Sequence, residues 1–190
     1  MNIAIRGAYG SAKISIPIAL IKLHDAVPIL GKPLTYEGKV GILGYEIGEY
    51  NLKILGRYET QCGGCDGIKT QDEIKARIKA WEGESNLMLE GILVSHTFGP
   101  WNEFAEHRDW RFRFLSTDLQ TCIARVNARR AASGKGPLDD PKNIVKDWSQ
   151  IRSLQPKFQA NGHDSKWLTF GAEYPEIITL LEQANEQRHA

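Results

Sequence analysis

The feature that most constrains the fold is a short apolar strand that runs directly into a glycine-containing turn. Residues 2–5 are mostly apolar and lead into Arg6 and Gly7, a pattern typical of a buried strand followed by a loop. The segment from Gly7 to Ser15 reads Gly-Ala-Tyr-Gly-Ser-Ala-Lys-Ile-Ser. This segment partly matches the pattern G-x-x-x-x-G-K-[ST]. Loops with that pattern surround phosphate oxygens with their backbone N–H groups.

The segment matches this pattern in part. Gly7 and Lys13 stand at the right spacing. Ala12 takes the place of the second glycine, and alanine adopts a left-handed conformation poorly. Ile14 replaces the Mg²⁺-binding hydroxyl, and Ser15 carries a hydroxyl one residue late.

Two interpretations of this segment stay open. A phosphate-binding loop is favoured by the strand before it and by an apolar, potentially helical segment over residues 12–24. The alternative is a glycine-rich turn with a solvated Lys13. Pro17 weakens the helix, because proline would remove a helical N–H and collide with the carbonyl of Lys13 unless the helix begins late.

The rest of the chain alternates predicted strands and helices. Further strands are predicted at residues 40–43, 52–55, 87–94, 111–115 and 167–170, and further helices at 70–82, 117–130, 142–160 and 174–187. Thr70 is the expected N-cap of the second helix, with Glu73 completing a capping box. This order predicts one α/β domain over residues 1–190 with a mainly parallel sheet flanked by helices.

Composition narrows the possible functions. A net charge of +1 gives no global case for nucleic-acid or membrane binding, so any basic site must be local. No apolar run is long enough to predict a transmembrane helix, and the first residues do not resemble a signal peptide. Three cysteines, an odd number, argue against a disulfide framework, and a cytoplasmic location is the default expectation.

Three stretches outside the glycine-containing loop resemble a known family. They are Tyr-Glu-Thr-Gln-Cys-Gly-Gly-Cys-Asp within residues 56–72, Leu-Glu-Gly within 89–97, and Cys-Ile-Ala-Arg-Val-Asn-Ala-Arg-Arg at 122–130. Most of the chain, roughly residues 1–170, resembles the bacteriophage 5-hydroxymethyluracil DNA kinases and their P-loop kinase relatives. The resemblance implies a P-loop NTPase fold of the nucleotide-kinase kind, ATP as phosphoryl donor, and Mg²⁺. It also implies a hydroxyl acceptor on a nucleotide or on a modified pyrimidine base in DNA, and host cytoplasm as the location of a phage-encoded enzyme.

Two carboxylates are candidates for the chemistry. Glu90 ends an apolar strand, where ligands of α/β sheets bind, and could orient Mg²⁺ or polarise a hydroxyl. Asp66 lies on a predicted loop over residues 59–67 and could accept the proton of the attacking hydroxyl. The alternatives are a strand-end glutamate that caps backbone and a turn-forming aspartate.

A group of arginines suggests a lid. Arg125, Arg129 and Arg130 lie near the end of a predicted helix, before a Gly/Pro-rich segment, and the lid would span residues 125–142. In P-loop kinases a mobile arginine-bearing lid closes over the phosphates. The alternative is a solvated basic helix end that complements the helix dipole.

Two further patterns suggest other chemistry. Cys62-x-x-Cys65 could indicate zinc or redox chemistry, but the sequence offers no second matched pair of ligands. Aromatic and basic residues alternate over 101–111 and could stack bases, although a core with a charged rim is the preferred interpretation.

The predicted site is therefore a kinase centre, with a non-catalytic nucleotide-binding or protein-interaction domain as the alternative. Its predicted catalytic residues are Lys13, Asp66, Glu90, Arg125, Arg129 and Arg130. The phosphate-binding segment comprises Gly7, Ala8, Tyr9, Gly10, Ser11, Ala12, Lys13, Ile14 and Ser15, and Mg²⁺ is assigned to Ser15 and Glu90.

Overall fold

A computed structural model describes residues 1–60 and 63–189 of the chain. The strands are β1 (Asn2–Arg6), β2 (Val27–Gly31), β3 (Gly41–Ile47), β4 (Leu52–Leu55), β5 (Asn86–Glu90), β6 (Trp110–Leu115) and β7 (Asp164–Leu168). The helices are α1 (Ser15–Leu23), α2 (Gln71–Trp81), α3 (Ile92–Ser95), α4 (Gly99–Ala105), α5 (Leu119–Ala132), α6 (Lys142–Ala160) and α7 (Glu173–His189). Single 3₁₀ turns occupy Gly48–Tyr50 and Cys65–Gly67.

All the strands form one sheet in the order β2-β3-β4-β5-β1-β6-β7. β4, β5, β1, β6 and β7 form a parallel set, whereas β2 and β3 add an antiparallel edge. The prediction of an α/β fold with a mainly parallel sheet is therefore confirmed. β1 lies inside the sheet between β5 and β6, so its carboxyl end is at the centre of one sheet edge.

β1 is buried on both faces of the sheet. Ile3 and Ile5 belong to an apolar cluster with Leu20 of α1 and Ile177 of α7. Ala4 belongs to a second cluster, to which α2, α4, α5 and α6 contribute apolar side chains. The sheet is thus a middle layer between two layers of helices.

The predicted first helix begins later than the apolar pattern suggests, at Ser15. The backbone N–H of Ile18 donates to the carbonyl of Ile14 at 3.2 Å and opens the helical ladder. Pro17 therefore lies in the first turn, where N–H groups have no partner within the helix. The late start removes the conflict that proline would cause in a helix interior.

The predicted cap of α2 is half confirmed. The Thr70 hydroxyl accepts a hydrogen bond from the backbone N–H of Glu73 at 3.1 Å. The Glu73 carboxylate does not close a capping box; it accepts from the backbone N–H groups of Leu34 and Thr35 and pairs with Arg77 at 2.7 Å. Glu73 thereby fastens α2 to the segment between β2 and β3.

The predicted strand over residues 87–94 is wrong beyond Glu90. Gly91 has a φ of +148°, and the chain then enters the short helix α3. A Cβ at Gly91 would lie 2.9 Å from Asp66 Oδ1 and 3.1 Å from Cys65 Cβ. Glycine is required here because the 3₁₀ turn of the Cys-Asp-Gly segment approaches the backbone closely.

Other differences concern element boundaries. The predictions missed β2 and α4, and they placed the last strand a few residues too late, at 167–170 instead of Asp164–Leu168. The aromatic residues of the 101–111 segment belong to the core, in agreement with the preferred interpretation: Trp101, Phe104 and Trp110 are buried. In the described residues, no helix is both long and apolar enough to span a membrane.

Candidate active site

A cleft of about 220 Å³ opens at the carboxyl ends of β1 and β5. Its walls come from the glycine loop (residues 7–14), the turn after residue 62, the end of β5, and α5. The lining residues are Ala8, Tyr9, Gly10, Ala12, Lys13, Ile14, Gly63, Asp66, Glu90, Arg125 and Arg129. Most of the predicted site residues thus meet at one cleft.

The glycine loop turns through two left-handed residues. Gly10 has a φ of +79° and Ala12 a φ of +70°. A side chain at Gly10 would collide with the backbone of Cys122, and one at Gly7 would collide with the Ser11 hydroxyl. The loop is therefore compact and packs directly on α5.

Lys13 is folded onto its own loop. Its ammonium donates to the carbonyl of Gly7 at 2.7 Å and to that of Ala8 at 3.1 Å. Burial lowers the pKa of Lys13, while the nearby carboxylates of Glu90 and Asp147 oppose that shift. A buried cation whose hydrogen bonds go to neutral carbonyls is suited to receive an anion.

Glu90 is the buried carboxylate of the cleft. The residue is 3% exposed, and within the described part of the chain its Oε1 has no hydrogen-bond partner. Desolvation raises its pKa to about 7, with Lys13 opposing the shift and Asp66 adding to it. A side chain at Gly64 would collide with this carboxylate, so the glycine leaves space for it.

Asp66 reaches the same cleft from the 3₁₀ turn Cys65–Gly67. It is exposed, in contrast to Glu90. Because the turn packs against Gly91, the Gly-Gly-Cys-Asp and Leu-Glu-Gly stretches are in direct contact. Two carboxylates of different burial therefore face one cavity.

An Mg²⁺ ion would fit beside these carboxylates. An unpartnered buried oxygen such as Glu90 Oε1 is a suitable hard ligand. Among the described residues, no group of three or more His, Cys, Asp or Glu could hold a metal ion. Such an ion would therefore take most of its ligands from phosphates and water, as Mg²⁺ does in sites for phosphate substrates.

The structure separates the three predicted lid arginines. Arg125 and Arg129 line the cleft, and Arg125 Nη1 donates to the carbonyl of Gly10 at 3.5 Å. Arg130 does not line it; its Nε donates to the carbonyl of Gly136 at 2.8 Å. Ser15, a predicted metal ligand, is exposed in the first turn of α1 and does not line the cleft either.

Sequence reasoning missed Asp147, a buried residue of α6. Its carboxylate accepts a hydrogen bond from the backbone N–H of Tyr9 at 2.5 Å and contacts the His96 ring. Asp147 thus fastens the glycine loop to α6. The sequence could have indicated that Asp147 is buried, because position 147 falls on the apolar stripe of α6 formed by Ile144, Ile151, Leu154 and Phe158.

The cysteine motif has only one described member, because Cys62 lies outside the described residues. Cys65 is fully buried, and burial raises the pKa of its thiol well above the ordinary value. Reactive and metal-binding cysteines have lowered pKa values. The environment of Cys65 therefore does not favour thiolate chemistry.

Comparison with known proteins agrees with the resemblance carried by these motifs. The family model described as 5-hmdU DNA kinase matches residues 3–159. A 5-hmdU DNA kinase of Pseudomonas phage PaMx11 is 33% identical over 171 residues, covering 84% of this chain and 86% of the relative. The 5-hmdU DNA kinase of Bacillus phage SP10 is 26% identical over 83% of this chain.

The relatives differ in length. This chain spans 25% of the Bacillus phage SP10 protein. It spans 66% of the 5-hmdU DNA kinase 1 of Salmonella phage ViI, to which it is 23% identical over 77% of its own length. With a family model matching most of its residues and a relative of similar length above 30% identity, the chain belongs to the 5-hmdU DNA kinase family.

Proposed function

We propose that this chain is an ATP-dependent kinase of the P-loop type that phosphorylates the hydroxymethyl group of a modified pyrimidine, 5-hydroxymethyluracil, in DNA. The observation that carries the proposal is the cleft in which Lys13, two carboxylates and two arginines converge beside a left-handed glycine loop. Family membership supplies the class of acceptor.

The glycine loop and Lys13 bind the phosphates of the donor. Backbone N–H groups of a compact left-handed turn form an anion-binding concavity. Lys13 adds a buried cation, and exchanging its bonds to the Gly7 and Ala8 carbonyls for phosphate oxygens would pair its charge. Asp147 fixes the loop from behind through the Tyr9 N–H.

The carboxylates act on the acceptor side. Asp66 is exposed, so it can pass a proton on to solvent, and it accepts the proton of the attacking hydroxyl. Glu90 would hold Mg²⁺ through its unpartnered oxygen, and the ion would supply positive charge that offsets the negative charge of the donor phosphates. Arg125 and Arg129 face the same space and stabilise charge on the transferring group.

The acceptor has to leave the base stack. A hydroxymethyl group on a paired base cannot reach a cleft of this size inside a duplex. The enzyme would therefore engage an extruded base or an open strand.

The test is calorimetric titration with ATP and Mg²⁺, followed by phosphoryl transfer to hydroxymethylated DNA. Lys13→Met keeps the length of the side chain and removes its charge, and we expect a rate lower by about 10² to 10³. Lys22→Met, at the exposed end of α1, is the matched control and should retain activity. Equal activity of Lys13→Met and the unmodified protein would contradict the assignment.

A second candidate function, non-catalytic nucleotide binding, is favoured by one observation. Ile14 lines the cleft with an apolar side chain at the position where the loop pattern has a metal-binding hydroxyl. The double substitution Ala12→Gly and Ile14→Ser distinguishes the two functions. It should raise Mg²⁺-dependent ATP affinity and turnover in a kinase, and it should leave a domain adapted to another role without phosphoryl transfer.

A further inference from the structure

A second groove, of about 260 Å³, adjoins the segment that also lines the catalytic cleft. Asp66 lines the cleft and the next residue, Gly67, lines the groove, as do Gly56 and Arg57 earlier in the same segment. The two parts of this segment are joined by a hydrogen bond from the Gly64 N–H to the Arg57 carbonyl at 2.6 Å. The cleft and the groove are therefore neighbours along one backbone wall, residues 56–57 and 63–67.

The groove is basic, although the whole chain has a net charge of only +1. Four cationic side chains line it: Lys39, Arg57, Lys69 and Arg77. Arg77 is committed to the buried Glu73 carboxylate at 2.7 Å. Within residues 1–60 and 63–189 the other three form no ion pair with a carboxylate, and all three are exposed. Exposed cations without carboxylate partners in a concave surface are suited to an extended anion.

The remaining lining suits a nucleic-acid strand more than a compact anion. The Tyr36 ring lines the groove and carries the Lys69 ammonium 5.0 Å from its centroid. Gly41 and Gly67 leave the backbone open on this lining, because a Cβ at either position would meet no atom closer than 4.0 Å. Aromatic rings interleaved with cations along a groove are how proteins hold single strands, with phosphates on the cations and bases on the rings.

We infer that this groove binds the sugar-phosphate backbone of the DNA strand that carries the acceptor base, an inference that rests on the proposed function. Phosphates lie on Lys39, Arg57 and Lys69, and Tyr36 supports a flanking base. The wall formed by residues 63–67 lies between the bound strand and the cleft, so an extruded base crosses it to reach Asp66 and Glu90. The groove is a strand-binding site, separate from the donor site.

The first experiment measures binding of a fluorescein-labelled single-stranded oligodeoxynucleotide by fluorescence anisotropy over a series of salt concentrations. The double substitution Lys39→Gln and Lys69→Gln should weaken binding about tenfold. It should also lower the salt slope by about 0.7 for each phosphate that the variant no longer neutralises. The matched control, Lys22→Gln with Lys157→Gln, removes the same charge from exposed positions outside the groove and should bind like the unmodified protein.

A second variant adds charge instead of removing it. A Cβ at Gly41 meets no atom within 4 Å, and its φ lies outside the left-handed region, so Gly41→Asp places a carboxylate in the groove without strain. Gly48→Asp is its control, because Gly48 has equally open surroundings and does not line the groove. We expect Gly41→Asp to weaken oligonucleotide binding at least as much as the double lysine variant, and Gly48→Asp to leave it unchanged.

Calorimetry with ATP and transfer to the free hydroxymethylated nucleoside separate this inference from the proposed function. Groove variants that bind DNA more weakly and keep ATP binding and nucleoside phosphorylation support both. Unchanged DNA affinity in both groove variants overturns the strand-binding inference, whatever the kinase activity. Groove-dependent DNA binding by a chain that transfers no phosphate supports the groove and overturns the proposed kinase.

Discussion

At the scale of single residues, Ala12 has a conformation that glycine adopts more readily. Its φ of +70° places it in the left-handed region, which disfavours a residue with a Cβ by about 1–2 kcal/mol. Ala12→Gly relieves this strain, although glycine also raises the entropy of the unfolded chain. We expect a net increase of about 0.5–1 kcal/mol in the free energy of unfolding, measured by denaturant titration.

The control for Ala12→Gly is Ala131→Gly near the end of α5, where the backbone is helical. This substitution should destabilise by about 0.5–1 kcal/mol. A destabilising effect of the same size at position 12 would show that the left-handed turn is not formed in solution.

The raised pKa of Glu90 predicts how the free energy of unfolding depends on pH. The pKa is about 7 in the folded chain and about 4.3 in an unfolded chain. Folding therefore favours the protonated carboxyl, and this contribution to stability is lost as the pH rises from about 5 to about 7. Without ligands, Glu90→Gln should gain stability relative to the unmodified protein over this window, by about 2–3 kcal/mol.

Activity should depend on pH in the opposite direction to stability, because only the ionised Glu90 carboxylate can hold a cation. At subsaturating Mg²⁺, where protons and the cation compete for this carboxylate, phosphoryl transfer should rise with pH toward about 7, and it should be lost in Glu90→Gln. Glu46→Gln, which replaces an exposed carboxylate of β3, should change neither profile. A stability difference between Glu90→Gln and the unmodified protein that is independent of pH would contradict the burial of this carboxyl.

Some residues escaped prediction because their roles depend on tertiary contacts. Arg6 reads as a turn residue, yet its side chain is fully buried with Cζ 4.4 Å from the Phe158 ring centroid, and desolvation lowers its pKa to about 9. It donates to the carbonyl of Thr97 at 3.0 Å and so holds the segment that follows α3. No local pattern gives the position of Phe158, which is distant in the chain. Lys13 and Glu90, in contrast, were predictable members of the cleft because each lies at a recognisable motif.

At the scale of elements, the geometry of α5 directs two neighbouring arginine side chains to different places. Arg129 lines the cleft, whereas Arg130 is bonded to the Gly136 carbonyl at the helix end. Arg129→Gln should lower the rate of phosphoryl transfer by about 10² or more, because it removes a cation at the transferring group. The measurement is kcat with saturating ATP.

Arg130→Gln is the matched comparison, since it removes the same charge one residue away. It should keep kcat within about threefold and lose only a surface hydrogen bond, worth about 0.5–1.5 kcal/mol of stability. Equal losses of kcat in the two variants would show that α5 acts through its net charge and not through Arg129.

Element boundaries were predictable where they depend on local chemistry. The Thr70 cap and the apolar face of α5 are examples, because each is encoded within one or two turns. The end of β5 was not predictable in this way. It depends on Gly91, whose positive φ and missing side chain accommodate the Cys65–Gly67 turn from elsewhere in the chain. The apolar run alone continues past Glu90 and reads as a longer strand.

At the scale of the whole molecule, strand alternation predicted the parallel sheet but not its order. β1 lies between β5 and β6, and this order brings Gly7, Glu90 and the cleft to one edge. The antiparallel pair β2–β3 departs from simple alternation, and its connecting segment supplies Tyr36 and Lys39 to the basic groove. Such long-range placement is not contained in local periodicity.

Donor binding should stabilise the whole molecule, because the glycine loop joins β1 to α1 and contacts both α5 and α6. A ligand that binds only the folded state at about 100 times its Kd adds about 2.7 kcal/mol. For a chain of 190 residues this corresponds to a Tm increase of roughly 5–10 °C, measurable by calorimetry or by fluorescence.

The Tm increase should depend on the glycine loop and not on the basic groove. With ATP and Mg²⁺, Lys13→Met should show little shift, whereas Lys39→Gln with Lys69→Gln should shift like the unmodified protein because its substitutions lie outside the cleft. Hydrogen exchange should slow in the glycine loop in the same samples, at residues other than Tyr9 and Ser11, whose N–H groups are already hydrogen-bonded within the protein. An equal Tm shift in Lys13→Met would mean that ATP stabilises the chain from another site, and the donor would then have to be sought away from the glycine loop.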